Sequence, residues 1–423
     1  MASALQPIQK SGDPSVESTH QLCLVARQPI LDLRGRVHAY ELHFRGDSEP
    51  DSGAAYNSLL ETAVKFGLEK PSELKKLTGK LTAFARYPVE LLSEPLAQLL
   101  PAPLTVLEIH PSREVSPELI ASCRQLKALG FRFALGDFTN EPQDRSLVEL
   151  ADYVKVDFCR TPPDVRRRLL NELHGKPIAV LAKGVDTQAD YRKAREEGFT
   201  LFEGYFFCEP VAMRNRRPPV NQMLRLNLLK ALQRHPMDLH KVSQLVKGDG
   251  PLTYQLLRLV NSPFWGMRQN VESIEVALVA VGEDAFRRIA TLAIASEFNG
   301  DQPGELLCMA ILRGRICEKT ALQRGLDPFG QYLVGLLSLL PAMQGQPMSE
   351  VAPTLPLGDE ILEALLGKCN RERAMLSWME SCERGDWAGC DGAAQRYGLD
   401  QQDLARAYIE AVAWTEEALH SGG

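Results

Sequence analysis

Gln28-Pro29-Ile30-Leu31-Asp32 is followed, after Arg34-Gly35-Arg36, by Val37-His38-Ala39-Tyr40-Glu41-Leu42-His43-Phe44-Arg45. These are two short apolar runs with a connection too short for a crossover, so they read as a β-hairpin. Glu41 lies near the end of the second run. A carboxylate there faces a shared pocket if further strands follow in a βα series.

Such strands do follow. Leu81 to Tyr87, Leu104 to His110, Arg132 to Phe138, Tyr153 to Phe158, Pro177 to Ala182 and Leu201 to Phe207 read as strands. Between them, Pro117 to Leu129, Pro163 to Leu173 and Thr187 to Glu197 are amphipathic and long enough for right-handed crossovers. The pattern predicts an α/β domain of the parallel barrel type. In that architecture the C-terminal strand ends converge on one mouth. They place Glu41, Glu108, Asp137, Lys155, Lys183 and Glu203 together. Carboxylates from different strands are the donor set of a hard cation.

The chain has 423 residues, which suggests two domains. A net charge of -6 offers no general attraction to nucleic acid, which is excluded as a default partner. Nine cysteines without a Cys-x-x-Cys pair fit reduced thiols rather than a disulfide framework or a zinc site. No apolar run approaches the roughly 18 residues that span a bilayer, so no membrane partner is expected and the location read is cytoplasmic. Residues 1–20 are read as a disordered leader.

The motifs Gln28-Pro29-Ile30, Tyr40-Glu41 with Arg45, Leu107-Glu108-Ile109, Ala134-Leu135-Gly136-Asp137-Phe138, Val154-Lys155-Val156-Asp157, Gly184-Val185-Asp186-Thr187 and Gly204-Tyr205-Phe206-Phe207 occur in this order. Together they resemble the EAL domain of cyclic-di-GMP phosphodiesterases. The resemblance implies two divalent cations held by carboxylates and an asparagine, activating water against a phosphodiester. Glu41 and Glu108 match the family pattern. The partner Glu of Glu108 is replaced by Pro111, the first of the paired aspartates by Gly136, the late Glu by Lys183, and the asparagine falls at Ala85 or Arg86. Two dications roughly 3.5–4 Å apart need several anionic ligands, so a degenerate, non-catalytic barrel without cofactor is expected. In the vacated pocket Lys155 is expected to pair with Asp137, and Lys183 with Glu108 or Glu41. Candidate ligand-binding residues are Glu41, Arg45, Glu108, Asp137, Lys155 and Glu203, with Arg45 and Lys155 as phosphate contacts if intact cyclic-di-GMP binds. His43 and His110 share strand faces with Glu41 and Glu108, making a His₂Glu₂ metal site geometrically conceivable but less natural than rim histidines.

Arg214-Asn215-Arg216-Arg217-Pro218-Pro219 marks a linker, so the barrel is assigned to 21–213, the linker to 214–219 and a second domain to 220–423. Helical spacing takes over there: Met223, Leu224, Leu228, Leu229 and Leu232 make one face, Asp238 and Ser273 are helix caps, and Gly282 is a stop. The run Tyr254-Gln255-Leu256-Leu257-Arg258-Leu259-Val260-Asn261-Ser262-Pro263-Phe264-Trp265-Gly266 with Glu272 to Gly282 is similar to the HDOD domain, a metal-free relative of HD hydrolases. This half holds only His235, His240 and His420 and no His-Asp pair; where related domains carry His-Asp after a Gly-Leu-Leu run, the sequence reads Gly335-Leu336-Leu337-Ser338-Leu339. Asn261, Phe264 and Trp265 are interaction candidates, with a helix stop and core packing as their plain alternatives. The whole reads as a two-domain signalling protein, its barrel a sensor or docking module and its helical half a protein-interaction domain. An active phosphodiesterase and an intact cyclic-di-GMP receptor are the alternatives, and the partner protein and homodimerisation stay open.

Overall fold

The computed structural model describes residues 24–45, 62–88, 92, 100–110, 115–138, 145–210, 221–267, 270–300 and 302–420. The leader, Pro111 and the 214–219 linker lie outside them. Strands β1 (Val25–Asp32), β2 (Val37–Phe44), β3 (Thr82–Arg86), β4 (Thr105–Ile109), β5 (Arg132–Leu135), β6 (Tyr153–Asp157), β7 (Ala179–Lys183) and β8 (Leu201–Glu203) close into one barrel in chain order. β1 runs antiparallel to both neighbours, and every other pair is parallel. The hairpin expected at Arg34-Gly35-Arg36 is present, with Gly35 at φ 71 and Asp32 Oδ1 accepting from the backbone of Arg34 and Arg36. The last strand is shorter than expected: it ends at Glu203, and Phe206–Cys208 turns into a 3₁₀ helix. Gly204, at φ 146, follows the strand, and a Cβ there would meet the Val185 backbone at 2.0 Å, so the position requires glycine.

Strand alternation stacks the barrel interior in two layers. Ile30, Ala39, Phe84, Val106, Ala134, Tyr153, Leu181 and Leu201 form an apolar floor. Two residues further along the parallel strands stand Glu41, Arg86, Glu108, Gly136, Lys155, Lys183 and Glu203. The crossover helices Pro117–Ala128, Pro163–Leu173 and Gln188–Glu197 follow the sequence expectation, with Ser116 and Thr187 capping the first and third.

No helix separates β1 from β2, so the outer flank of the hairpin lacks the cover that crossovers give the other strands. The helical half covers it. It comprises long helices Glu283–Asn299, Gly304–Ala321 and Gln401–His420 and shorter ones including Gln222–Leu232, Leu239–Lys247, Gly250–Val260, Ile274–Val281, Pro328–Leu337, Ala374–Glu383 and Trp387–Tyr397. Asp238 and Ser273 cap as expected, accepting from Lys241 and Val276. Gly282 both stops one helix and starts Glu283–Asn299, which the sequence reading passed over. Gly304–Ala321 and Pro328–Leu337 cross so closely that a Cβ on Gly335 would meet the Arg313 carbonyl at 2.4 Å.

Arg27, on the outer face of β1 and 5% exposed, is the centre of the contact between the halves. It pairs with Glu416 at 2.7 Å, donates to the Leu77 carbonyl at 2.6 Å and to Cys308 Sγ at 3.3 Å, and lies over the Tyr40 ring. Tyr40 donates to Glu305 at 2.8 Å, and Tyr408 accepts from the Arg27 backbone at 3.1 Å. Among the described residues no helix is long and apolar enough to cross a membrane.

Candidate functional site

β2, β4, β6 and β8 bring Glu41, Glu108, Lys155 and Glu203 to one point, all at most 5% exposed. The Lys155 ammonium bonds Glu41, donates to Glu108 at 2.6 Å, and stands 2.9 Å from Glu203 Oε2 without hydrogen-bonding geometry. Burial alone would raise the Glu41 carboxyl, but Lys155, then Lys183 and His43, hold it well below the usual range. Burial and the Glu41 charge would also raise Glu108, yet Lys155 and His110 bring it to about 2. Glu203 goes the other way, pushed up to about 8 by burial and by the charge of Glu41, toward which it holds its proton. Burial disfavours the Lys155 charge, and Glu108, Glu203 and Glu41 outweigh it. With Glu203 neutral, two carboxylates balance Lys155 and Lys183, an internally neutral set at neutral pH.

His110 sits beside this set. Its Nε2 bonds Glu108 Oε1 at 2.7 Å and its Nδ1 lies 3.4 Å from Asp137, while burial is outweighed by these carboxylates and its pKa rises. Asp137, at φ 47, turns outward and is held at about 2 by that bond. The expected Lys155–Asp137 pair is therefore not what forms: Asp137 engages His110, and Lys155 is consumed by the glutamates. A Cβ at Gly136 would meet His110 Cε1 at 2.3 Å and Glu108 Oε1 at 2.7 Å. The imidazole thus occupies the space of a side chain at 136. The sequence signal was present in Glu108-Ile109-His110 and Gly136, but nothing in the spacing alone showed that one fills the gap left by the other.

His43 Nε2 bonds Gln28 Oε1 at 3.0 Å, so the two histidines serve different partners rather than one metal. Among the described residues no group of three His, Cys, Asp or Glu side chains is placed to hold a metal ion. Arg45 departs from the mouth to meet Asp391 at 2.9 Å and Gln401 at 3.2 Å in the helical half. Lys183, near Glu41 and Glu203, forms no ion pair among the described residues and remains at the mouth.

Residues 218–337 match the family model for the HDOD domain. This stretch is an HDOD domain. Over 405 residues the chain is 29% identical to the uncharacterized protein YuxH of Bacillus subtilis, spanning 92% of this chain and 97% of that one. Over 416 residues it is 28% identical to cyclic di-GMP phosphodiesterase CdgJ of Vibrio cholerae, spanning 95% and 94%. An EAL domain protein of Listeria monocytogenes, solved by crystallography, overlays 44% of this chain and 87% of its own at 19% identity and a TM-score of 0.37. The architecture is a closed eight-stranded barrel followed by an HDOD domain and further helices.

In the HDOD domain, Asn261 is engaged locally: its side chain bonds the Leu257 carbonyl at 3.0 Å and both backbone groups of Val271, at 2.8 and 2.7 Å. It thereby clasps the loop after Gly250–Val260. Phe264 and Trp265 are half-buried and pack edge-on with Trp414, with ring centroids 5.5 and 6.4 Å away. Ser338 and Leu339 follow Gly335-Leu336-Leu337, where the sequence reading looked for His-Asp, and Leu339 is buried. Ser338 accepts from Arg313 at 3.0 Å, and Arg313 forks onto Glu383 at 2.9 and 2.6 Å. The Glu383 carbonyl accepts from Tyr205, two residues past Glu203, and Gly385 lies against His43. The HDOD core, the 383–385 turn and the barrel mouth are thus in direct contact.

Proposed function

We propose that this chain is a non-catalytic signal-transduction protein, in which the EAL-like barrel acts as a sensor or docking module for the HDOD domain. The observation that carries this is the imidazole of His110 in the space beside Gly136. A two-cation centre needs anionic ligands around both ions. Here one ligand position has no side chain and is filled from β4, Arg86 or Ala85 stands for the asparagine, and Lys183 adds a positive charge beside Glu41. These residues do not fit a pair of dications. Incubation of the full chain with cyclic-di-GMP and magnesium or manganese tests the reading: no turnover is expected, and turnover that Glu41→Gln abolishes would overturn it. CdgJ, named a cyclic di-GMP phosphodiesterase, makes that assay the first one to run.

The HDOD domain is read as the partner-binding face. Tyr254 and Val279, on the packed helices Gly250–Val260 and Ile274–Val281, are 70% and 79% exposed and are the apolar side chains this reading offers to a partner. A receptor reading, in which cyclic-di-GMP binds intact, is favoured by Lys183 alone, because Lys155 and Arg45 are already engaged by carboxylates. Calorimetric titration of the full chain with cyclic-di-GMP separates the two: Lys183→Ala weakens any affinity about tenfold or more if its ammonium meets a phosphate.

A further inference from the structure

A second group of charged side chains lies in the helical half, away from the barrel mouth. Arg324 ends the turn Leu322–Arg324, and Arg371 stands in the loop before Ala374–Glu383. Each guanidinium donates to the backbone carbonyl of the other residue, at 2.5 Å in both directions. Arg396, on Trp387–Tyr397, comes to the same loop, its Nη1 3.9 Å from Cys369 Sγ. None of the three forms an ion pair with a carboxylate among the described residues. The neighbouring acids are engaged elsewhere, Glu363 by Lys368 at 2.6 Å and Glu380 by Arg373 at 2.8 Å. Glu372 acts on Arg324 only through space.

Two polar atoms at this place are buried without a hydrogen-bond partner: Arg324 Nη1 and the Tyr397 hydroxyl. A buried donor left unmade costs free energy, and guanidinium groups gathered without a counter-charge repel one another. Burial, together with the Arg371 charge, lowers the Arg324 pKa. Arg presents a planar fork of donors matched to a phosphate or carboxylate.

We propose that Arg324, Arg371, Arg396 and the Tyr397 hydroxyl form a binding site for a phosphate-type oxyanion, either the free ion or the phosphate of a small monoester. Arg324 supplies the buried donor, Tyr397 a neutral one, and the exposed Arg371 and Arg396 the outer charge. Cys369, exposed at the rim, reports occupancy.

The test is isothermal titration of the full chain with inorganic phosphate, and in a second arm with phenyl phosphate, at ionic strength held constant with potassium chloride. Saturable binding of either anion is expected, and the tighter arm identifies the free ion or the monoester as the form taken. Arg371→Ala and Arg396→Ala, both on exposed side chains, should weaken it about 10- to 100-fold each while the chain still melts in a cooperative transition. Arg371→Lys should recover only part, because the fork is lost. Phosphate should also slow alkylation of Cys369 by iodoacetamide. Absence of saturable binding in both arms, or equal binding by the Arg371→Ala, Arg396→Ala double variant, overturns the proposal.

Discussion

The two halves of this molecule are built around interiors of opposite character. At the barrel mouth the charges stay and are turned on one another: Lys155 sits among three glutamates, and His110 bridges Glu108 to Asp137. In the HDOD domain Leu336, Leu337 and Leu339 around Ser338 are plain core. The first solution leaves a pH-sensitive, mutation-sensitive centre; the second leaves a packing problem only. A charge network depends on every member, because deleting one strands the rest without water. An apolar replacement loses only contact area and leaves a cavity.

Removing Lys155 is the hardest blow to that contrast. Lys155→Met leaves Glu41 and Glu108 buried without their cation and should cost about 3–5 kcal/mol in urea unfolding. A loss under about 1 kcal/mol would mean that the glutamates need no counter-charge, and the comparison fails. Leu337→Ala should cost about 2–5 kcal/mol, with the same value at pH 6 and pH 9. A pH-dependent cost there would show hidden electrostatics in the helical half.

Gly136→Asp probes the filled gap. The new side chain meets the His110 ring, so about 1–3 kcal/mol is expected to be lost, and Gly136→Asp with His110→Ala should recover part of it. Additive losses in the double variant would show that the imidazole can simply move aside. The smallest expected effect is a slope. Glu203 has a folded-state pKa of about 8 against an ordinary 4.5, so the stability it contributes is full below pH 4.5 and lost as pH rises through 8. His110, also raised, has the same sign. Melting temperatures of the wild-type chain should therefore fall toward pH 9, and Glu203→Gln, which keeps the neutral shape, should flatten the fall.

Much of this was legible in the residues. The hairpin, the barrel strands, the Asp238 and Ser273 caps and the convergence of Glu41, Glu108, Lys155 and Glu203 follow from period-two and helical spacing. What escaped were pairings decided across the fold. Lys155 was expected on Asp137, because sequence shows which charges share a mouth but not which distances win. Arg45 was read as a phosphate contact, and its partner Asp391 lies 346 positions away. Arg27 drew no notice, since an arginine within an apolar strand gains meaning only when Glu416 and Tyr408 arrive from the far end of the chain.

The bare flank of the β1–β2 hairpin carries a lesson for anyone cutting this gene in two. A fragment ending at residue 213 would present Arg27, Tyr40 and the surrounding apolar strand surface to solvent, and the complementary fragment would bare Glu305, Cys308 and Tyr408. Neither piece would be a faithful miniature of the whole, so binding measured on one alone would describe a damaged surface as much as a native one. Modularity written in the order of sequence motifs need not survive as separability in solution.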